Sequence, residues 1–301
     1  MLDRASTFAQ PEIVELLKTR FVPVAIDQAY QRRQQDTEGE FYRKIAGQSP
    51  RGDFQATTQG FYIANAAGDL LLYNNNRDPE KVLRLMKEKL REFVSEQTVR
   101  GEIPPIHTAK VDPRYNVSPP AGGLVLRVHA KVLDGYKPTT DRWQHIFQTA
   151  LSRDNLWVSE REHQSLVRGE FPNSLQQRVA RFHLVDNTRG EPPIWEPTEI
   201  REVSVTLSDG SLGGKVQLAN QRGNRGFDAE LKGEIEVKAG QVVRFDMVCL
   251  GQFWGDGPYT RGAPVGRFPL AISFTLADGT DIADKVPPQG SRGWVEGYIR
   301  P

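Results

Sequence analysis

Residues 200–276 consist largely of runs in which apolar and polar residues alternate, and glycine-containing turns separate these runs. The runs are "IREVSVTLSDGSLGGKVQLAN", "FDAELKGEIEVKAGQVVRFDMVCLG" and "FPLAISFTLADGTD". Alternation with a period of two predicts half-buried strands, and the tetrapeptides SDGS and KAGQ are typical of hairpin turns. Several short strands at this spacing predict an antiparallel β-sandwich or a barrel-like sheet.

Residues 1–97 alternate helical and extended patterns. "PEIVELLKTR" predicts an amphipathic helix, and "DTEGEFYRKIAG" predicts a shorter one that ends at a glycine. "FVPVAID" is apolar at both alternations and predicts a strand buried on both faces. "GFYIANAAGDLLLY" predicts a hairpin, and "DPEKVLRLMKEKLREFV" predicts a helix with Asp78 as its N-cap and Pro79 at its first position.

This order of helix, strand, helix, hairpin and helix resembles the thioredoxin-like superfamily without its first strand. The resemblance lies in "FAQPEIVELLKTRFVPVAID" and in the later hairpin and helix, and it covers about the first third of the chain. The redox chemistry of the superfamily needs two thiols, whereas the only cysteine of the chain is Cys249. The superfamily also places a proline before its third strand, and "ATTQGFYI" has none. The resemblance therefore implies a redox-inactive scaffold or binding domain.

The sequence thus predicts a two-domain α+β protein. Residues 1–97 form the incomplete thioredoxin-like α/β domain, and residues 98–123, with five prolines, form an ordered linker. Residues 124–301 form a helical segment followed by the β-rich domain. Its first strand is expected at "LVLRVHAKVL", and helices are expected over "DRWQHIFQTALSRDNLWVSEREHQSLVRG" and "NSLQQRVARFHLVDN".

Composition and charge bear on the expected partners and on the compartment. The chain has 39 basic and 38 acidic residues, which gives no reason to expect nucleic acid as the main partner. No apolar run is long enough to span a bilayer, and "MLDRASTFAQ" lacks the pattern of a signal peptide. A single cysteine cannot form an internal disulfide. We expect a soluble protein, either cytoplasmic or exported with its leader absent from this sequence, and the oligomeric state stays open.

The candidate site lies in two stretches that combine aromatic and charged residues. All five tryptophans lie between residues 143 and 294. Aromatic faces stack on sugars, and Arg/Asp pairs hold hydroxyl or carboxylate groups in a fixed geometry. We expect the two stretches to share one pocket, although loops also use such polar residues simply to satisfy their own backbone groups. The candidate ligand-binding residues are Arg181, Asn187, Arg189 and Trp195 in "RFHLVDNTRGEPPIW" and Trp254, Tyr259 and Arg261 in "GQFWGDGPYTRGAPVGRF".

No sequence motif predicts a metal or another cofactor. The five histidines have no zinc-ligand spacing, and the chain lacks a nucleophile elbow and a phosphate-binding loop. The first hypothesis is therefore a binding or scaffold protein for a carbohydrate or protein partner. The alternative is a hydrolase, possibly acting on a carbohydrate, with Asp186 or Asp256 as general base and His183 as its acid or base partner.

Overall fold

The computed structural model describes residues 7–95, 111–291 and 294–300. It combines helices with antiparallel sheets and divides into two compact units, one ending at Val117 and the other beginning at Ser118. Of the proline-rich linker expected over 98–123, residues 98–110 lie outside the described residues. None of the helices in the described ranges is both long and apolar enough to cross a lipid bilayer.

The N-terminal unit contains four α-helices, one short 3-10 helix (Thr7–Ala9) and one hairpin within its described residues. The helices expected at "PEIVELLKTR", "DTEGEFYRKIAG" and "DPEKVLRLMKEKLREFV" are confirmed, as is the antiparallel hairpin. The N-cap is confirmed too, because Asp78 Oδ1 accepts a hydrogen bond from the Lys81 amide at 2.9 Å. The elements are α1 (Pro11–Arg20), α2 (Gln28–Gln31), α3 (Thr37–Gly47), β1 (Phe61–Ala64), β2 (Leu70–Asn74) and α4 (Pro79–Ser95).

The core of this unit is small and lies between α1, α4 and the hairpin. Ile13 of α1 is fully buried and packs with Val82 and Met86 of α4. Phe61 and Ile63 of β1 cover this cluster from the hairpin side. The amphipathic stripes of the two helices therefore form the core that their sequence spacing predicts.

The prediction of a buried strand over "FVPVAID" is wrong. Residues 21–27 form no strand, and Val22, Val24 and Ile26 are 90%, 71% and 43% exposed. No backbone hydrogen bond joins residues 22–26 to any other described residue. A strand that is apolar on both faces can be buried only where it has neighbouring strands and a layer on each side, and the described sheet of this unit has two strands. The thioredoxin-like resemblance stays a prediction.

The C-terminal unit is built on one seven-stranded antiparallel sheet that curls into a half-barrel. Its strands are β3 (Leu124–Val132), β4 (Asp154–Val158), β5 (Ile200–Ser208), β6 (Ser211–Ala219), β7 (Gly226–Lys238), β8 (Gln241–Trp254) and β9 (Arg267–Leu276). The strand order is β4-β3-β9-β8-β7-β6-β5. The hairpins at SDGS and KAGQ are confirmed, with Asp209 and Ala239 at φ 49° and a glycine at positive φ after each.

The sequence left open a sandwich or a barrel-like sheet. The unit has one curled sheet with helices packed against it, which agrees with the barrel-like alternative and not with a sandwich of two sheets. The α-helices of this unit are α5 (Arg142–Thr149), α6 (Glu160–Val167), α7 (Asn173–Arg178) and α8 (Val295–Ile299), and a π-helical turn, Val179–His183, continues α7. A hydrogen bond joins α7 to β5, because Gln176 Oε1 accepts from the Val205 amide at 3.0 Å. Buried side chains from every second residue of β8 and β9 form the inner face, including Phe245, Met247, Cys249, Leu270, Ile272 and Phe274.

The expected helical segment contains one strand that the sequence did not reveal. Within "DRWQHIFQTALSRDNLWVSEREHQSLVRG", residues Asp154–Val158 form β4, and all five are buried. β4 pairs with β3 from Leu124↔Val158 to Val128↔Asp154. Only residues 156–158 of this segment are apolar, and such a short run between two helices fits either element. Tertiary pairing decides for the strand. The helix expected over "NSLQQRVARFHLVDN" ends with the π-turn at His183.

Candidate functional site

Two connecting segments of the C-terminal unit carry the predicted site residues. Loop A, residues 184–196, follows the π-turn, and loop B, residues 255–266, connects β8 to β9. β8 and β9 are paired up to Trp254↔Arg267, so the sheet fixes both ends of loop B. Loops held by a rigid sheet are the usual position for binding residues.

Arg189 joins the two loops. Its guanidinium forms an ion pair with Asp186 in loop A, and its other terminal nitrogen donates to Asp256 Oδ1 in loop B at 3.0 Å. The side chains of Arg189 and Asp186 are 1% and 2% exposed, whereas that of Asp256 is 46% exposed. The structure therefore brings together three of the predicted residues: two form a buried charge pair, and the third reaches the surface.

Local hydrogen bonds complete this arrangement. Asp186 Oδ1 accepts from the Thr188 hydroxyl at 2.7 Å and from its amide at 3.1 Å. Burial lowers the pKa of Arg189, but the neighbouring Asp186 carboxylate outweighs it, so that this pKa lies above its usual value. Asp256 also accepts from the amides of Gly262 and Ala263 at 3.4 and 3.0 Å. The Asp256 carboxylate thus fixes the turn of loop B as well as its contact with Arg189.

Two glycines allow the loops to approach each other closely. A Cβ at Gly190 would collide with the carbonyl oxygen of Tyr259, and one at Gly257 would collide with the Pro193 ring. The Gly257 amide donates to the hydroxyl of buried Thr260 at 2.9 Å. Loop B is therefore held by close backbone packing as well as by the ion pair.

The exposed part of loop B presents an aromatic and a cationic side chain. Tyr259 is 74% exposed although its backbone is packed against Gly190. Arg261 is exposed two residues later, and Val265 is 92% exposed. Of all the predicted ligand-binding residues, Tyr259 and Arg261 are the most accessible.

Trp254 lies at the end of β8 with one face already covered. The Arg267 guanidinium lies 3.8 Å from the centroid of the indole ring and also pairs with Asp228 at 2.6 Å. The indole nitrogen donates to the Gly223 carbonyl at 3.0 Å. A ligand could therefore stack on Trp254 only at its remaining half-exposed surface.

Trp195, predicted as a ligand-binding residue, belongs to the core. It is 0% exposed, its indole donates to the Leu184 carbonyl at 2.7 Å, and the Arg225 guanidinium lies 3.9 Å from its ring centroid. Arg181 is half-buried and donates to the Trp195 carbonyl at 3.2 Å. Asn187 is buried, and its amide nitrogen donates to Gln289 Oε1 at 3.3 Å. These three residues support loop A from within.

His183 faces a different cluster from Asp186. Its Nε2 lies 2.6 Å from the Tyr298 hydroxyl, and its Nδ1 lies 3.1 Å from Asp154 Oδ2. The imidazole is fully buried. The structure therefore pairs His183 with Asp154, which the sequence did not single out, and pairs Asp186 with Arg189.

Tyr136 lies near Asp186, Arg189 and Asp256, and nothing in the sequence indicated this. Burial raises its pKa to about 12, with the nearby carboxylates of Asp186 and Asp256 acting in the same direction and Arg189 in the opposite one. Its hydroxyl is buried and has no hydrogen-bond partner among the described residues. The surrounding sequence, "LDGYKP", reads only as a turn. No local pattern could have assigned it to the cluster.

Neither a metal site in the described residues nor a similarity to known proteins indicates a function for this site. No group of three His, Cys, Asp or Glu side chains in the described parts of the chain could hold a metal ion. Cys249 is buried within β8, and burial raises the pKa of its thiol far above the usual range. Comparison with known proteins finds no matching family model, curated protein or solved structure.

Proposed function

We propose that this is a non-redox binding or scaffold protein that contacts a protein partner through loop B. The observation that carries the proposal is the exposure of Tyr259 and Arg261 on a loop whose backbone is fixed by Arg189, Gly190 and Gly257. Tyrosine and arginine are enriched among the residues that dominate protein interfaces. A fixed backbone lowers the conformational entropy that is lost when such side chains bind.

A carbohydrate is the other ligand class that the sequence predicts for this site. It would use the partly exposed Asp256 carboxylate and the free surface of Trp254. We favour a protein partner because the two most exposed candidate residues, Tyr259 and Arg261, are of types enriched at protein interfaces, whereas Trp254 is already partly covered by Arg267.

The alternative of a hydrolase has less support. Its proposed base Asp186 is 2% exposed and paired with Arg189, and His183 is enclosed by Tyr298 and Asp154. Of the three candidate catalytic residues, only Asp256 is accessible. A single exposed carboxylate that already binds an arginine is a weak basis for acid–base catalysis.

The N-terminal unit is proposed to contribute without thiol chemistry. Residues 1–248 contain no cysteine, so the thioredoxin-like resemblance can imply only a docking or scaffold role there.

The test is photo-crosslinking from loop B. Tyr259 is replaced by benzoylphenylalanine in the full chain, and Ile282, which is 82% exposed elsewhere in the same unit, is replaced in a matched control. Residue 259 should give discrete adducts in an extract of the source cells that residue 282 does not give. The partner so identified is then purified, and Arg261→Ala should weaken its binding about tenfold or more, as expected of an interface hot spot.

Two results would contradict the proposal. Equal adducts from residues 259 and 282 would show that loop B has no specific protein partner. Binding of oligosaccharides on a glycan array, lost in Trp254→Ala and retained in Ile282→Ala, would favour a carbohydrate.

A further inference from the structure

The connection between α1 and α2, residues 21–27, is an exposed apolar segment of the N-terminal unit. Val22, Val24 and Ile26 are 90%, 71% and 43% exposed, and the two residues between them are exposed as well. A single apolar side chain at the surface needs no explanation, whereas a contiguous exposed patch marks an interaction site. Loop B lies in the other unit, so its proposed role leaves this patch unexplained.

The main chain of this segment also has unused hydrogen-bonding groups. No backbone hydrogen bond within the described residues involves residues 22–26. Both ends of the segment are extended, with φ −129° and ψ 162° at Phe21 and φ −81° and ψ 98° at Asp27. An extended chain with free N–H and C=O groups is a template to which another strand can be added.

One edge of the segment is better suited to strand pairing than the other. In an extended chain the N–H and C=O groups of alternate residues point to opposite edges. The groups of Val22, Val24 and Ile26 share one edge, and each of these residues has an N–H to donate. The other edge includes Pro23, which has no N–H. A partner strand therefore pairs best along the edge of the three β-branched residues.

These three residues are arranged symmetrically about Val24. If two copies of the segment pair antiparallel about this residue, Val24 lies opposite its own copy and Val22 lies opposite Ile26. Each cross-strand pair on that face then joins two β-branched side chains, which are enriched in strands and pack well across them. The segment therefore matches its own copy along the whole edge.

Charges at the two ends of the segment favour the same arrangement. Arg20 ends α1, and Asp27 caps α2 by accepting from the Ala29 amide at 2.9 Å; the side chains of both are exposed. Antiparallel pairing brings Arg20 of one copy beside Asp27 of the other at both ends. Parallel pairing would bring like charges together instead, which is unfavourable.

We propose that residues 22–26 pair antiparallel with the same residues of a second copy of this chain, centred on Val24. Val24 forms a hydrogen-bonded pair with Val24 of the second copy, and Val22 and Ile26 form such pairs with each other across the interface. The two-fold symmetry closes this contact at two chains. One strand per copy is smaller than a standard interface, so the dimer is weak and forms at about 0.1 mM.

Two proline variants of the full chain test which edge is paired. Val24→Pro removes the N–H at the centre of the paired edge, whereas the matched control Ala25→Pro removes one from the opposite edge and keeps Val24 extended. Both positions are exposed, and thermal melts at about 5 µM, where the monomer dominates, check that both variants fold. Sedimentation equilibrium up to about 0.5 mM then measures the mass. We expect dimerisation of the unaltered chain and of Ala25→Pro, and a Kd at least tenfold higher for Val24→Pro.

Disulfide formation measures the register directly. The variants are Val24→Cys and Ala25→Cys, and the native Cys249 is buried. In the proposed register the Cα atoms of the two copies of residue 24 lie about 5.5 Å apart, within the range of a disulfide. The two copies of residue 25 lie diagonally, about 8 Å apart, beyond that range. Val24→Cys should therefore cross-link at least tenfold faster under mild oxidation.

Three results would overturn the proposal. A mass of one chain up to about 0.5 mM would show that a different partner, another segment of the chain or nothing covers residues 22–26. A dimer that Val24→Pro does not weaken would place the contact elsewhere. Equal cross-linking at residues 24 and 25 would indicate random collision, and this measurement decides the matter even if Val24→Pro does not fold.

Discussion

Replacing Arg189 with methionine should destabilise the C-terminal unit by about 3–5 kcal/mol. The side chains of Arg189 and Asp186 are 1% and 2% exposed, so the substitution leaves the Asp186 carboxylate buried with only Thr188 as partner. Breaking a buried pair on one side typically costs this much. Methionine keeps most of the side-chain volume, so a cavity contributes little.

Urea unfolding followed by tryptophan fluorescence measures this loss selectively. All five tryptophans lie between residues 143 and 294, so the signal reports on the C-terminal unit alone. With a slope of about 2 kcal/mol per molar urea, the midpoint should fall by about 1.5–2.5 M. The matched control is Arg244→Met: its side chain is 54% exposed, its partners Glu234 and Asp246 are 64% and 46% exposed, and their ion pairs should contribute under about 1 kcal/mol.

The double variant Asp186→Leu/Arg189→Met separates the charge from the packing. Removal of both charges should recover at least about 1 kcal/mol relative to Arg189→Met, because no unpaired buried carboxylate remains. A loss below about 1 kcal/mol for Arg189→Met, or a double variant less stable than the single one, would refute the claim that this pair is buried and coupled.

Two further predictions test other parts of the structure. Val24→Asp should change stability by no more than about 0.5 kcal/mol in thermal melts followed by circular dichroism, because Val24 is 71% exposed; a loss of several kcal/mol would place it in a core. Asp284→Asn should flatten the acid dependence of stability, because the hydrogen bond from Arg127 holds the pKa of Asp284 below its usual value against the opposing effect of burial. A lowered folded-state pKa gives stability that is complete above about pH 4 and is lost as pH falls. Urea midpoints at pH 6 and pH 3 should therefore differ less in the variant, and an unchanged difference would contradict the assignment.

Local signals predicted the hairpins and the longest helices. The turn at Asp209 and Gly210 needs two residues at positive φ, and its sequence provides an aspartate and a glycine between alternating runs. The order of the strands had no such signal, because β3 pairs with β9 across most of the unit's sequence. The same limit explains β4 and residues 21–27: both contain a short apolar run, and only the rest of the fold decides which one is buried.

The composition of loops A and B predicted part of the candidate site. The clustering of charged and aromatic residues led us to expect that the two loops lie side by side. In the structure Arg189 of loop A contacts both Asp186 of loop A and Asp256 of loop B. Composition could not distinguish the buried Trp195 from the exposed Tyr259. Nor could it pair His183 with Tyr298, whose positions in the sequence are far apart.

Burial separates the roles of the two loops on physical grounds. Buried side chains that hydrogen-bond to other protein groups, as those of Arg189 and Asn187 do, are not accessible to a partner and contribute to binding by holding other groups in place. Tyr259 and Arg261 are exposed, and their side chains remain available to a partner. Substitution in loop A should therefore lower stability first and affinity as a consequence. Substitution of Arg261 should lower affinity at unchanged stability, and measuring both quantities in one variant of each loop distinguishes support from contact.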